Sequence, residues 1–356
     1  MTKAVRHLSD VHQRQFVKLF DAASQRNNRW SVFSDFVHIS AIAISNTVDH
    51  AHAEEREKEY ARITKSYNRK EMDCLRHMFA EIVEGLEANP NQDFMGDLFM
   101  NLELGNECRG QFFTPYCVSS MMARMISDID ALKQKIENKG WVSVSDPACG
   151  AGGMLAAFAN VCMSCNVNYQ RSVLFVGQDV DYTAACMCYI QLSLLGCPGY
   201  VVIANTLSNP ATSLDKRMLI PTPTQNVWYT PTYFLTEWHY RRQFALLRYA
   251  ESRETQRIER LASTVRRPDD FGTQAGTDGQ FCAGVARIGG ESLMAEQHAI
   301  LSASSSNRWL HCPPSALLAA QFPRTTSKYA EAGTLAHSIG ELKARKYFLE
   351  PMGPQE

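Results

Sequence analysis

The sequence has no surplus of charge: 36 Lys and Arg stand against 37 Asp and Glu, a formal net charge of -1 over 356 residues. No global field draws such a chain to nucleic acid, so any contact of that kind must use a local patch. It also has no apolar run long enough to span a bilayer and no secretory leader, and its eleven cysteines show no regular spacing. These absences exclude a membrane span and a disulfide framework, and they point to free thiols in a reducing cytoplasm. Cys162 and Cys165 form a C-x-x-C pair, and Cys186 and Cys188 lie close together, so a four-ligand zinc site can be drawn. Both pairs fall in segments of helical apolar spacing, where buried cysteine acts as a small hydrophobe, and no metal is expected in the core.

At 356 residues the chain suits two domains, or one with large appendages. Residues 1 to about 105 read as helices. Trp30 to Val48 is apolar at helical spacing, Ala51 to Arg69 is charged like a solvated face, Lys70 to Leu86 follows, and Asn89-Pro90 breaks the pattern before Asp93 to Leu104 resumes it. From Gly110 short apolar runs alternate with helical stretches, the pattern of a parallel sheet with crossover helices. Strands are expected at Trp141 to Ser145, Ser172 to Gly177 and Tyr200 to Ala204, with helices at Gly153 to Cys165 and Tyr182 to Leu195. No run of strands follows Arg242, so the sheet is expected to be short or incomplete. After Arg241 the chain is charged and helical to about Val265, then loses periodicity in a Gly-, Asp- and Thr-rich stretch up to Gly290. The expected division is a helical region over 1–105, an α/β core over 106–248, a poorly ordered linker over 249–293 and a small, mostly helical fragment over 294–356.

Asp146-Pro147-Ala148-Cys149-Gly150-Ala151-Gly152-Gly153 lies directly after a strand and before a helix. Glycines there let the backbone turn tightly and approach a ligand, and the helix start offers unpaired N–H groups. The next strand ends in Gly177-Gln178-Asp179, and an acid in that position can accept hydrogen bonds from ribose hydroxyls, while Asp181 suits a helix cap. The sequence has no G-x-G-x-x-G, which disfavours a nicotinamide dehydrogenase.

These residues resemble the amino-group DNA methyltransferases akin to the modification subunit of type I restriction systems. Asp146-Pro147-x-Cys149-Gly150-x-Gly152 looks like their main cofactor motif, and Gly110-Gln111-Phe112-Phe113-Thr114-Pro115 like the segment that precedes it and packs on the cofactor. Gly177-Gln178-Asp179 and Ala204-Asn205-Thr206-Leu207 fit the ribose-binding and adenine-proximal positions. The resemblance covers about Gly105 to Arg242. It implies a Rossmann-like methyltransferase core, S-adenosylmethionine as cofactor, and methyl transfer to the exocyclic amino group of adenine in double-stranded DNA, with a specificity or partner subunit as a further partner. The cofactor residues it implies are Phe113, Thr114, Pro115, Asp146, Pro147, Cys149, Gly150, Gly152, Asp179 and Asn205. Such enzymes flip the base out of the duplex and use an Asn or Asp, two prolines and an aromatic ring. Asn209-Pro210-Ala211-Thr212 keeps the amide and one proline, so Asn209 and Pro210 are the catalytic candidates; Tyr229-Thr230-Pro231-Thr232-Tyr233-Phe234 has aromatics but no amide or carboxylate. The other reading is a catalytically degenerate cofactor- or DNA-binding module. Arg241, Arg242 and Arg248 are candidate DNA contacts.

From Met294 a new pattern begins. Ser302 to Ser306, Asn307-Arg308-Trp309-Leu310-His311-Cys312-Pro313-Pro314-Ser315 and Glu331-x-Gly333-Thr334-x-x-His337 resemble the opening of a phage-encoded nuclease family of the RecB-like, PD-(D/E)XK type. His337 and Glu341 fall far short of a metal cage, and no nuclease activity is expected. Two adjacent phage or mobile-element genes read as one frame would account for the junction; a purine-rich sequence before the Met294 codon is the mark to look for.

Overall fold

The computed structural model describes residues 8, 10–102 and 113–264. All lie within one compact unit, Met1–Phe271. The C-terminal segment with His337 and Glu341, most of the expected linker, and Gly110-Gln111-Phe112 lie outside the described residues.

The helical region begins with α1 (Val11–Ala23), α2 (Arg29–Asn46), α3 (Ala53–Thr64), α4 (Arg69–Ala88) and α5 (Phe94–Asn101). Its helix starts are written locally. Asp10, Asn28 and Asp93 each accept a hydrogen bond from a backbone N–H in the first turn, and Asn68 and Glu71 form a reciprocal capping box at α4. Phe16, Phe20, Phe33 and Phe36 are fully buried between α1 and α2, with edge-to-face rings at 5.3 and 6.3 Å centroid separations. The helices are not free-standing. Buried Arg56 on α3 donates to Asp49 Oδ2 at 2.7 Å and to Val227 O at 3.0 Å, and lies over the Trp228 ring, which fastens the bundle to the sheet.

The α/β part follows α6 (Tyr116–Ile126) and α7 (Ile129–Lys139). It comprises β1 (Val142–Asp146), α8 (Gly153–Ser164), α9 (Tyr169–Ser172), β2 (Val173–Asp179), α10 (Tyr182–Leu194), β3 (Gly199–Ile203), β4 (Val227–Tyr229) and α11 (Thr236–Thr264). Strand order is β1-β2-β3-β4; β1, β2 and β3 are parallel, with Asp146 opposite Gly177 and Asp179 opposite Ile203. The β-α-β-α-β order expected from the sequence is therefore present, within a residue or two at each end.

Two features differ from expectation. A fourth strand, β4, pairs antiparallel to β3, with Val227 opposite Val202 and Tyr229 opposite Tyr200. Its antiparallel direction carries Thr230–Phe234 to the end of the sheet where the parallel strands begin, and Tyr200, Tyr229, Tyr233 and Phe234 pack there as an aromatic cluster. Tyr229-Thr230-Pro231 is thus structural. The second difference concerns only the division at 248/249: α11 runs unbroken through it to Thr264, in keeping with the charged helical pattern expected to about Val265.

Candidate functional site

In a parallel sheet the loops leaving the carboxyl ends of the strands converge on one edge. Here these are 147–152 after β1, the turn at Val180–Asp181 after β2, and 204–211 after β3. The first loop turns on two glycines of positive φ, Gly150 at 51° and Gly152 at 94°. A Cβ on Gly150 would lie 2.9 Å from the Phe113 ring, and one on Gly152 would lie 2.9 Å from Cys188 Sγ and 3.2 Å from Cys188 Cα, so both positions need glycine for space as well as conformation. Gly152 is also the N-cap of α8 and supplies no side-chain cap; residues 151–153 are buried, with the Asp93 carboxylate against Gly153.

Asp179 knits two of the loops together. Its Oδ2 accepts Gly150 N at 2.9 Å and its Oδ1 accepts Asp181 N at 2.9 Å. Asp181 caps α10 through Ala184 N. Asp146 turns back on its own loop, accepting Ala148 N at 3.1 Å, and burial together with the nearby Asp179 carboxylate pushes its pKa up. Val180, directly after Asp179, is 67 % exposed, an apolar side chain left bare at the loop edge.

The loop after β3 leans over the first. Thr206 Oγ1 donates to Pro147 O. Asn205 spends its side-chain oxygen on Leu207 N at 2.9 Å and Ser208 N at 3.2 Å, an Asx turn that shapes the loop. Asn209 and Pro210 are exposed, and their main-chain carbonyls already accept Gln178 Nε2 at 2.9 Å and Gln225 Nε2 at 2.8 Å. The Asn209 carboxamide itself faces no hydrogen-bond partner among the described residues.

The remaining candidates fall into place around this edge. Phe113 packs between Phe99, at 4.9 Å ring separation, and Gly150. Thr114 is exposed, while Pro115 caps α6, its carbonyl accepting Val118 N at 2.9 Å and Ser119 N at 3.1 Å. Cys149 is buried, donating its N–H to Gln178 O at 2.9 Å, and its thiol lies beside that of Cys188 under Gly177. Cys162, Cys186 and Cys188 are buried thiols on α8 and α10; burial pushes up the pKa of the first two, and the hydrogen bond with Cys149 together with burial pushes up that of Cys188.

Two arginines proposed for DNA are engaged in the fold at the opposite end of the sheet. Arg241 donates to Arg171 O at 2.6 Å and lies over the Trp238 ring, and Arg242 lies over Tyr233 and Phe234. Sequence reasoning missed the polar residues that brace the site. Asp93, buried at the start of α5, accepts Gly96 N at 2.9 Å and Gln191 Nε2 at 2.8 Å, and crowds Gly153 at the start of α8. Asp97 lies one turn on; burial and the Asp93 carboxylate push its pKa up to about 6. Among the described residues one His and carboxylate cluster, His12 with Glu81 and Glu84, joins α1 to α4 through a hydrogen bond, 2.8 Å between His12 Nδ1 and Glu81 Oε2.

Residues 92–252 match the family model described as N-6 DNA Methylase. The match spans the end of the helical region, the three loops and most of α11. Residues 298–355, outside the described residues, match a second family, described as a protein of unknown function (DUF2800). Among solved structures the chain is similar to a Listeria monocytogenes protein assigned to the class I S-adenosylmethionine-dependent methyltransferases, at 17 % identity and a TM-score of 0.32, covering 57 % of this chain and 56 % of that one. It is also similar to the methyltransferase subunit of a type I restriction-modification system from Streptococcus thermophilus, at 16 % identity and a TM-score of 0.31, covering 58 % and 46 %. The chain thus spans about half the length of the solved structures it matches.

Proposed function

We propose that this protein binds S-adenosylmethionine at the edge formed by loops 147–152, 180–181 and 204–211 and transfers its methyl group to the exocyclic amino group of adenine in DNA. The observation that carries the reading is the convergence of the Asp146–Gly153 loop, Asp179 and the Asn209 loop at the carboxyl ends of three parallel strands, within the stretch matched as an N-6 DNA methylase. The residues fit the cofactor. Asp179 uses one lone pair on each oxygen and keeps others for ribose hydroxyls, and Gly150 and Gly152 keep the loop low enough for close approach. Bare Val180 offers an apolar surface for a purine. Phe113, Thr114, Pro115, Pro147 and Cys149 shape the wall, and Asn205 holds the third loop.

When bound, the cofactor supplies an electrophilic methyl group on a sulfonium centre. The protein's part is positioning. The exposed Asn209 carboxamide oxygen is the group available to accept an adenine amino hydrogen, and Pro210 fixes the backbone beyond it. The base must leave its stack to reach that oxygen.

A partner polypeptide fits the uncovered side of the core. β1 pairs only with β2 among the described residues, and α6, packed on α8 through Ala123, exposes Met121, Met122, Met125 and Ile126. The nuclease relationship of the C-terminal segment rests on the Asn307–Ser315 and Gly333–His337 strings alone.

The test is incubation of the full chain with labelled S-adenosylmethionine and DNA lacking adenine methylation, with N6-methyladenine measured after digestion. Label in N6-methyladenine, lost in Asn209→Ala, is the expected result. Cofactor binding with no label in DNA supports the catalytically degenerate module instead.

A further inference from the structure

Two of the three loops meet on one residue that the reading above leaves without a role. Gln178 is 2 % exposed in β2. Its Nε2 donates to Ala204 O at 3.2 Å and Asn209 O at 2.9 Å, and its Oε1 accepts Ala211 N at 2.7 Å. Both amide hydrogens and the carbonyl oxygen therefore act on the Asn209 loop, and the pattern of two carbonyl acceptors and one N–H donor fixes which way the amide faces. At the same time its main-chain carbonyl accepts Cys149 N from the Asp146 loop, and the next residue, Asp179, holds Gly150 N.

We propose that Gln178 is a positioning residue: its carboxamide clamps the Asn209–Pro210 segment beside the Asp146–Gly153 loop and so sets the placement of the adenine acceptor without itself holding cofactor. This rests on Asn209 lying in the substrate half of the site. Glutamate is almost isosteric but, ionised, donates nothing and sets a carboxylate against two carbonyl oxygens. Methionine keeps the length and removes all three bonds. Neither change touches the main-chain bond from Cys149 or the Asp179 carboxylate.

The experiment compares Gln178→Glu and Gln178→Met with the parent protein as full chains. Amide hydrogen exchange is expected to speed up by about 10-fold or more over residues 204–211 in both variants, with residues 147–152 unchanged, from the loss of buried hydrogen bonds. In the methyl-transfer assay kcat is expected to fall about 10- to 100-fold with the KM for S-adenosylmethionine within about twofold. Gln178→Glu should recover rate relative to the parent as pH is lowered and its carboxyl regains a donor, whereas Gln178→Met should not. Unchanged exchange over 204–211, or a loss of cofactor affinity that matches the loss of rate, overturns the proposal. The exchange readout needs no methyl transfer, so a parent protein that fails to methylate DNA refutes the function proposed above while exchange still decides the role of Gln178.

Discussion

Substituting Gly152 by alanine separates two costs that the structure makes visible. At φ 94° the residue sits in the left-handed region, which costs an L side chain about 1–2 kcal/mol. The added methyl would also stand 2.9 Å from Cys188 Sγ, 3.3 Å from its Cβ and 3.2 Å from its Cα, and forced overpacking of a core costs about 1–3 kcal/mol. Together Gly152→Ala should destabilise the core by about 2–5 kcal/mol, a fall in Tm on the order of 5–15 °C for a unit of this size. Calorimetric melting of the parent, Gly152→Ala, Cys188→Ala and the double variant measures both parts. The double variant removes the sulfur but leaves the crowding against the main chain of residue 188 and the left-handed backbone, so it should recover part of the loss and not all of it. A loss under about 1 kcal/mol in Gly152→Ala, or full recovery in the double variant, would refute the reasoning, because each conflicts with a cost of this size.

Asp97, with its carboxyl raised to about 6, binds its proton more tightly folded than unfolded, so it weakens the fold as pH rises from about 4 through 6; Asp97→Asn should raise Tm at pH 7.5 and flatten that part of the Tm–pH curve. His38 is the opposite case: burial lowers its pKa to about 4, so stability is fully present above pH 6.5 and lost as pH falls toward 4, and His38→Gln should flatten that acid-side loss. Arg56→Met leaves the buried Asp49 carboxylate with His52 alone and strips Val227 O of its side-chain donor, and should cost about 2–4 kcal/mol in urea unfolding; Arg56→Lys should not restore it, since one ammonium cannot reach Ser45, Asp49 and Val227 O together.

What could be read from the sequence was what depends on neighbours in the chain. The glycine turn after Asp146, the cap at Asp181, the alternating Val and Ser of β1 and the apolar runs of β2 and β3 are local features, and they fall where the pattern places them. β4 was not legible because its three residues gain strand geometry only from pairing with β3, and the aromatic string around it suggested a binding motif instead. The same limit hid Gln178 and the Asp93–Gln191 pair, whose side-chain bonds to each other or to the loops span between 26 and 98 residues. Asn205 looked like a ligand group by position, yet its oxygen is committed to its own turn. The arginines of α11 read as a basic patch, but stacking on Trp238, Tyr233 and Phe234 turns two of them into packing residues, a use that only the folded chain reveals.

The central claim is that the Asp146–Asp179 edge is a site for S-adenosylmethionine. Calorimetric titration of S-adenosylmethionine into the full chain, with Asp179→Ala beside it, tests this most directly. Asp179→Ala removes the proposed ribose acceptor and releases Gly150 N, so saturable binding by the parent should weaken at least about 10-fold in the variant, as expected for loss of a charge-assisted hydrogen bond. No binding by the parent, or equal binding by a folded variant, would contradict the account.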